Sequence, residues 1–482
     1  MPHPAKETPI PSQAKQTSFD LIVIGAGSGG YAAARTARDL GASVAFVDKG
    51  PLGGLCILRG CMPSKTLLAT GDLAYEIDRA RELGISTHRA AVDFPFVMAR
   101  KKEIIQGFTD YRVAGIDTFP TFMGKAHFES PHELRVGELM LRAKKFVIGT
   151  GSIVAPAVIP GLAEAGFIDS DGALELATAP KSMIVLGGGY VSTELGQFYA
   201  RIGTTLTVVI RGTHVLSGED TDVGEALTEY LREEGITIET RAKVTRVSVR
   251  ADGMKVVHFT RDDVEASVAA EEIFYALGRV PNVEGLGLEN AGVTAHAIQG
   301  IEVDGSMRTS NRDIFAVGDV TGQYLLVHVA IQQGEIAARN AIRETNEIVD
   351  YSLSKAHTVF SDPQVGVVGE TEKELEKAGV PYLKATYPFN DLGKAISIGK
   401  TKGFVKMLAA PDDGKILGVA ILGSHASDLI HVPIAAMAFG ATVFDYVKIP
   451  HLHPTMAEIL TYPAEELVDE INAKKPALAL AK

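Results

Sequence analysis

Two cysteines occur in 482 residues, Cys56 and Cys61, in the run Gly53-Gly54-Leu55-Cys56-Ile57-Leu58-Arg59-Gly60-Cys61-Met62-Pro63-Ser64-Lys65. With no third cysteine in the chain, they can pair with each other, with another molecule or with a metal. A metal would need further ligands close by, and the local run offers no His, Asp or Glu. The flanking glycines and the Pro-Ser-Lys that follows point to a redox pair held against an electron partner. Two neighbouring thiols without chemistry is the bland alternative, and the spacing alone leaves it open.

Bulk properties narrow the setting. A net charge of −12 and a pI near 5.6 argue against nucleic acid or an anionic membrane surface as partner. No apolar run approaches the roughly 18 residues of a membrane span. The first 18 residues, rich in Pro and polar side chains without an apolar segment, read as a disordered tail rather than an export signal. The expected compartment is therefore the cytoplasm. Structural disulfides are rare there, and a close cysteine pair is more readily catalytic.

Something must position the pair, and two glycine-rich units offer themselves. Asp20–Ile24 is a short apolar run that meets Gly25-Ala26-Gly27-Ser28-Gly29-Gly30, followed by a helical pattern to about Leu40 and a second run ending at Asp48. Gly25, Gly27 and Gly30 let the backbone approach a pyrophosphate at a helix N-terminus, and Asp48 can take ribose hydroxyls. The pattern recurs at Met183–Leu186, Gly187-Gly188-Gly189-Tyr190-Val191-Ser192, a helix expected over Glu194–Ile202, and a strand over Thr205–Ile210. Ser192 stands where the third glycine would be. At the position matching Asp48 there is Ile210, followed by Arg211, which suits a 2′-phosphate better than a free hydroxyl. The first site, immediately upstream of the cysteines, is read as the FAD site and the second as the NAD(P) site, with a lean toward NADP(H).

Four further segments complete a family pattern. They are Ala276-Leu277-Gly278-Arg279-Val280-Pro281-Asn282, Gly149-Thr150-Gly151, Ile314-Phe315-Ala316-Val317-Gly318-Asp319 and His451-Leu452-His453-Pro454-Thr455-Met456-Ala457-Glu458. From about Phe19 to Pro463 the chain resembles the pyridine nucleotide–disulfide oxidoreductases, and lipoamide dehydrogenase among them. The resemblance implies an α/β fold with two Rossmann-like dinucleotide-binding domains, one for FAD and one for NAD(P), plus a C-terminal α+β dimerisation domain. It implies Cys56 as the thiol that meets substrate and Cys61 as the one beside the flavin. It implies His453 as acid/base, with Glu458 orienting its ring. Lys65 and Glu194 match the pair at the flavin's reactive nitrogen, and Tyr190 matches an aromatic that covers the nicotinamide pocket in some members. Thr150, Gly151, Gly278, Arg279, Gly318 and Asp319 fall in its cofactor-binding turns. In the family His453 would serve the cysteines of a second subunit, so a homodimer with shared active sites is expected, with a lipoylated carrier as candidate partner. No metal site is expected.

The implied layout is a tail over 1–18, an FAD domain over 19–158, an NAD(P) domain over 159–282, a central segment over 283–352, a dimerisation domain over 353–466 and a tail over 467–482. In a regular helix, residues five apart have Cα atoms about 8.6 Å apart. A disulfide holds them at roughly 4.4–6.8 Å. The backbone between bonded Cys56 and Cys61 must therefore leave helical geometry, and Gly60 can supply the distortion. Several departures blur the substrate. Ile57-Leu58-Arg59 replaces the usual Leu-Asn-Val of lipoamide dehydrogenases, Gly149-Thr150-Gly151 replaces the family's Ala-Thr-Gly, and Ile210-Arg211 replaces an acidic strand end, while Glu335, where glutathione reductase has an arginine, weighs against that branch. Dihydrolipoamide or a lipoylated protein is the leading substrate. The alternatives are NADPH-dependent reduction of another small disulfide, of a metal ion or of a quinone, and a non-catalytic flavoprotein sensor.

Overall fold

A computed structural model describes residues 17–88 and 90–479. Most of the expected tail lies outside the described residues. Ser18, placed in that tail, instead opens strand β1 (Ser18–Ile24), where it pairs with Arg142. The described residues fall into two compact units. One comprises the chain up to Gly60 with Ile105–Ile153 and Arg279–Val349. The other comprises Cys61–Ile104, Val154–Gly278 and the chain from Asp350. No helix among the described residues is long and apolar enough to cross a membrane.

The first unit is built on a seven-stranded sheet. β1 pairs in parallel with β2 (Val44–Asp48) and with Leu139–Ile148, and the latter pairs in parallel with Ile314–Ala316. Helix α1 (Ser28–Asp39) crosses between β1 and β2, as β-branched and apolar strands flanking an Ala-rich helix require. Its Ala32, Ala33, Ala34 and Ala37 are buried. These small side chains bring α1 against the helix Val327–Arg343. A Cβ on Gly334 would sit 2.2 Å from Gly29 O, so backbone touches backbone there. The sheet's other face packs Ile22, Ile24, Phe128, Phe146 and Ile314 into one core.

α2 (Leu55–Arg59) ends this unit's first stretch, and α3 (Cys61–Arg79) begins the second unit. The helical path is broken at Gly60, at φ −132° and ψ −117°. A Cβ there would lie 3.0 Å from Leu55 O and 3.1 Å from Cys56 Cα, so the break depends on glycine through close approach.

In the second unit, β3 (Ser182–Leu186), α4 (Tyr190–Arg201) and β4 (Thr205–Val209) repeat the parallel unit, within a four-stranded sheet completed by Thr237–Glu239 and Glu272–Tyr275. α4 starts at Tyr190 rather than at the expected Glu194. The hydroxyls of Ser192 and Thr193 both donate to Gly189 O, at 2.7 Å and 2.9 Å, and draw the low-propensity Tyr-Val-Ser-Thr run into the first turn. Helix α5 (Thr221–Glu233) follows β4. The C-terminal part is a five-stranded antiparallel sheet, from His357–Val359 to Phe404–Ala409 and Leu383–Pro388, backed by α6 (Thr461–Ala479). The tail expected from residue 467 is instead helical through Ala479. Leu460, Ala464, Leu467 and Ile471 recur on one face and enter the core.

Candidate active site

In the first unit the glycine turn fits a pyrophosphate. Gly25, at φ +98°, lies so close to the next turn that a Cβ would meet Gly149 O at 2.3 Å. A Cβ on Gly30 would meet Gly25 O at 2.0 Å, which packs α1 tightly onto β1. Gly27 instead has nothing nearer than 3.9 Å to a Cβ, and no acidic residue stands in the first turn of α1. Backbone amides with open space and a positive helix end suit an anion. Asp48 accepts from the amides of Ala26 at 2.8 Å and Gly50 at 2.7 Å, which ties the end of β2 to the turn. Each carboxylate oxygen keeps a second lone pair for a ribose hydroxyl.

Residues expected in the other cofactor-binding turns form two sewn corners. Thr150 Oγ1 donates to Asn282 O at 2.7 Å, while Asn282 donates its amide N–H to Gly151 O at 2.9 Å. Ser152 Oγ donates to Asp319 at 2.7 Å and accepts from Arg279 Nε at 2.9 Å. Burial pushes the Asp319 carboxyl up from its ordinary value, against the opposing pull of Ser152 and Arg279. Gly318 donates its N–H at 2.7 Å to Gln333, which is fully buried. Ser152 and Gln333 escaped the sequence reading, because neither belongs to a glycine or acid motif.

The interchange-thiol candidate Cys56 lies in α2, and the same unit holds an aromatic–cation cluster that no motif announced. Tyr31 sits under the guanidinium of Arg112 at 4.4 Å and near that of Arg35 at 5.9 Å. Arg112 Nη1 is buried without a hydrogen-bond partner. Burial pushes the guanidinium down from its ordinary value, against the opposing pull of Tyr31 and Cys56. Arg59 is exposed.

In the second unit, Cys61 opens α3 and Lys65 follows one turn later. Lys65 Nζ pairs with Glu194 at 2.6 Å, and Glu194's other oxygen accepts from the Phe360 amide at 3.0 Å. Lys65 also lies 4.4 Å over the Phe360 ring. Glu194 is buried, so its charge needs both partners. The two residues expected at the flavin's reactive nitrogen are thus joined to each other, with Phe360 as an unforeseen third member.

The second glycine turn is also shaped for a ligand. A Cβ on Gly187 would meet Ala276 O at 2.5 Å, whereas one on Gly189 would meet nothing within 4 Å. Gly278, at φ +109°, accepts from Ala155 N at 3.0 Å. Tyr190 bonds Glu219. Arg211 is exposed at the end of β4. The backbone places a second exposed arginine beside it, since Arg241 N donates to Gly212 O at 2.8 Å. Nothing in the glycine motif pointed to Arg241.

His453 Nδ1 lies 2.9 Å and 3.1 Å from the two oxygens of Glu458. Glu458 sits in the turn Ala457–Leu460, anchored by buried Ile459 and Leu460. The His453 side chain is 74 % exposed and Glu458 18 %, so a fixed carboxylate holds an outward-facing imidazole. Because carboxylate only accepts, Nδ1 carries the proton and Nε2 is left as base. His451 donates from Nδ1 to Ile449 O at 2.9 Å, a local turn contact in keeping with its expected structural part.

Two family models match: pyridine nucleotide-disulphide oxidoreductase over residues 19–334, and the dimerisation domain of the same family over 355–464. The second supports a homodimer. Dihydrolipoyl dehydrogenase of Bacillus subtilis is 35% identical over 92% of this chain and 96% of its own. The Geobacillus stearothermophilus enzyme is 34% identical, covering 92% and 95%. Mercuric reductase of Streptomyces lividans is 33% identical over 94% and 97%. Among solved structures, the HOCl-induced flavoprotein disulfide reductase RclA from Escherichia coli superposes with a TM-score of 0.82 at 26% identity, covering 93% of this chain and 99% of its own. With its glycine turns, Lys65–Glu194 pair and His453–Glu458 pair in one chain, this protein belongs to the pyridine nucleotide-disulphide oxidoreductases, as an FAD- and NAD(P)-binding enzyme close to lipoamide dehydrogenase.

Proposed function

We propose that this enzyme oxidises dihydrolipoamide, free or on a lipoylated carrier, with NAD(P)+ as final acceptor. The observation that carries the reading is the His453–Glu458 pair, a proton carrier held by a fixed carboxylate and turned outward. One substrate thiol gives its proton to His453 Nε2, and the resulting thiolate attacks Cys56 Sγ of a Cys56–Cys61 disulfide. The S–S bond breaks and Cys61 leaves as thiolate, giving a mixed disulfide on Cys56. The second substrate thiol, deprotonated in turn, closes the product disulfide and releases Cys56. Two electrons then reside on the cysteine pair. Bound FAD supplies the step from thiols to nicotinamide. The family geometry would bring His453 from the second subunit of a homodimer.

A second reading concerns substrate charge. Arg112 carries a buried nitrogen without a hydrogen-bond partner and shares Tyr31 with Arg35 in the unit that holds Cys56. That arrangement favours a disulfide bearing a carboxylate over a neutral one. Steady-state kinetics on lipoamide, lipoate, a lipoylated protein domain, glutathione disulfide, quinones and Cu(II), each with both nicotinamides, tests both readings. Lipoamide or the lipoylated domain leading the panel supports the first. A preference for lipoate that Arg112→Gln abolishes supports the second. Activity confined to quinones or Cu(II) would refute both.

A further inference from the structure

Tyr190 opens α4 next to Gly189, and its ring is held from two sides. Its hydroxyl donates to Glu219 Oε1 at 2.7 Å. Its face stacks on the His357 imidazole, with centroids 5.7 Å apart and planes 22° from parallel. His357 Nε2 meets the same Glu219 oxygen at 2.8 Å. The Glu219 side chain is 2 % exposed, while Tyr190 remains partly open to solvent. A carboxylate this deep is tolerated because it is paired, and here the pair is an imidazole on the strand His357–Val359. The backbone around it is fixed as well. Lys373 donates to Glu219 O, and neighbouring Asp220 bonds Lys406 at 2.8 Å, as do Asp222 and Glu372 at 2.7 Å each. Glu219 is therefore a rigid acceptor, and its one buried oxygen sets where the Tyr190 hydroxyl can be.

We propose that Glu219, countered by His357, is a positioning residue that latches Tyr190 across the entrance to the Gly187–Gly189 turn, so that a nicotinamide dinucleotide must break the Tyr190–Glu219 bond to bind. The inference rests on reading that turn as the nicotinamide site. The open space beside Gly189 is where the displaced ligand path would run, and Tyr190 is the first side chain after it. Glu219 does not touch substrate. It acts through Tyr190, and the latch charges its cost to nicotinamide binding rather than to thiol exchange.

The test is calorimetric titration of the FAD-loaded dimer with NAD+ and with NADP+, paired with a thermal melt of each variant. Tyr190→Phe keeps the ring and leaves the Glu219–His357 pair intact, so its fold is safe. It removes only the latching hydroxyl. The expected result is a Kd about tenfold tighter than wild type, the factor for one weak charge-assisted hydrogen bond, with an unchanged melt. Glu219→Gln weakens the acceptor and is expected to tighten Kd in the same direction. A Tyr190→Phe Kd within about twofold of wild type, when Tyr190→Ala does change it, would overturn the latch while leaving the ring as a cover. If Tyr190→Ala also left both nicotinamides unaffected, the placement of their site at this turn would itself fail.

Discussion

Replacing Glu458 by glutamine separates what the carboxylate does for His453. In the wild type, two oxygens at 2.9 Å and 3.1 Å oblige Nδ1 to hold a proton, which leaves Nε2 to take one from a thiol. An amide in the same place loses the charge and can turn its NH2 toward Nδ1, which moves the ring proton to Nε2 and abolishes the base. A charge-assisted hydrogen bond contributes about 1.5–3 kcal/mol. At 1.36 kcal/mol per decade, its loss slows proton transfer roughly 10- to 150-fold. The tautomer effect adds to this, with the ~10⁴ measured for the equivalent change in a serine-protease triad as an upper bound. The assay is the pH profile of kcat for dihydrolipoamide oxidation in Glu458→Gln and Glu458→Ala. Both should fall at least about tenfold across the profile, the glutamine variant at least as far as the alanine one, because its amide can also hold the wrong tautomer. Two variants within about threefold of wild type across the profile would refute a role for this carboxylate in proton transfer.

Three further outcomes follow from the geometry. Arg201 is buried among Asp72, Glu234 and Asp362, at 2.6 Å, 2.6 Å and 2.8 Å, so Arg201→Met strands three acids and should cost about 3–5 kcal/mol by scanning calorimetry. A loss below about 1 kcal/mol would contradict this account of the cluster. Gly30→Ala puts a methyl 2.0 Å from Gly25 O, and the purified protein should retain little flavin absorbance while keeping its far-ultraviolet dichroism. Flavin content equal to wild type would refute the cradle. For His357, burial alone pushes the imidazole down, but the hydrogen bond and charge of Glu219, with a smaller pull from Glu374, raise it above its ordinary value. A raised imidazole stabilises the fold fully below its unfolded value of about 6.5 and loses that contribution as pH rises through the folded value. Glu219 is pushed up by burial, yet His357 and Tyr190 hold it below its ordinary value, so its share is present above about 4.3 and is lost only at lower pH. The melting difference between wild type and His357→Asn should therefore be largest between those two values and shrink toward alkaline pH. A difference that grew with pH would contradict the pair.

Much of this was written in local patterns. Glycine turns are legible because close backbone approach forbids other residues, and Gly25, Gly30 and Gly187 each meet a carbonyl that a Cβ would strike. His453 and Glu458 were legible because both lie in one short segment. The partners that came unannounced are those reached through the fold. Glu219 and His357 are 138 positions apart, and Glu194 meets the Phe360 amide across 166. Arg112 belongs to a helix with no chemical motif, and only its packing on Tyr31 distinguishes it. The end of the chain departs from the expected tail for a different reason. Leu467 and Ile471 have helical spacing, but an Ala/Lys-rich continuation resembles a solvated tail when its packing surface is unseen.

The contact of Gly29 with the helix Val327–Arg343 has a consequence for biosynthesis. The two backbones touch where Gly334 meets Gly29 O, yet some 300 residues separate them in the order of synthesis. At about 5–20 residues per second, the nascent α1 waits roughly 15–60 s before its packing partner leaves the ribosome. During that time the Ala-rich face of α1 and the pyrophosphate turn have no closed unit around them, so flavin can be captured only late in translation. Growth conditions that slow elongation between the codons for Gly29 and Gly334 would lengthen that wait and lower the yield of flavin-loaded protein without altering a single residue.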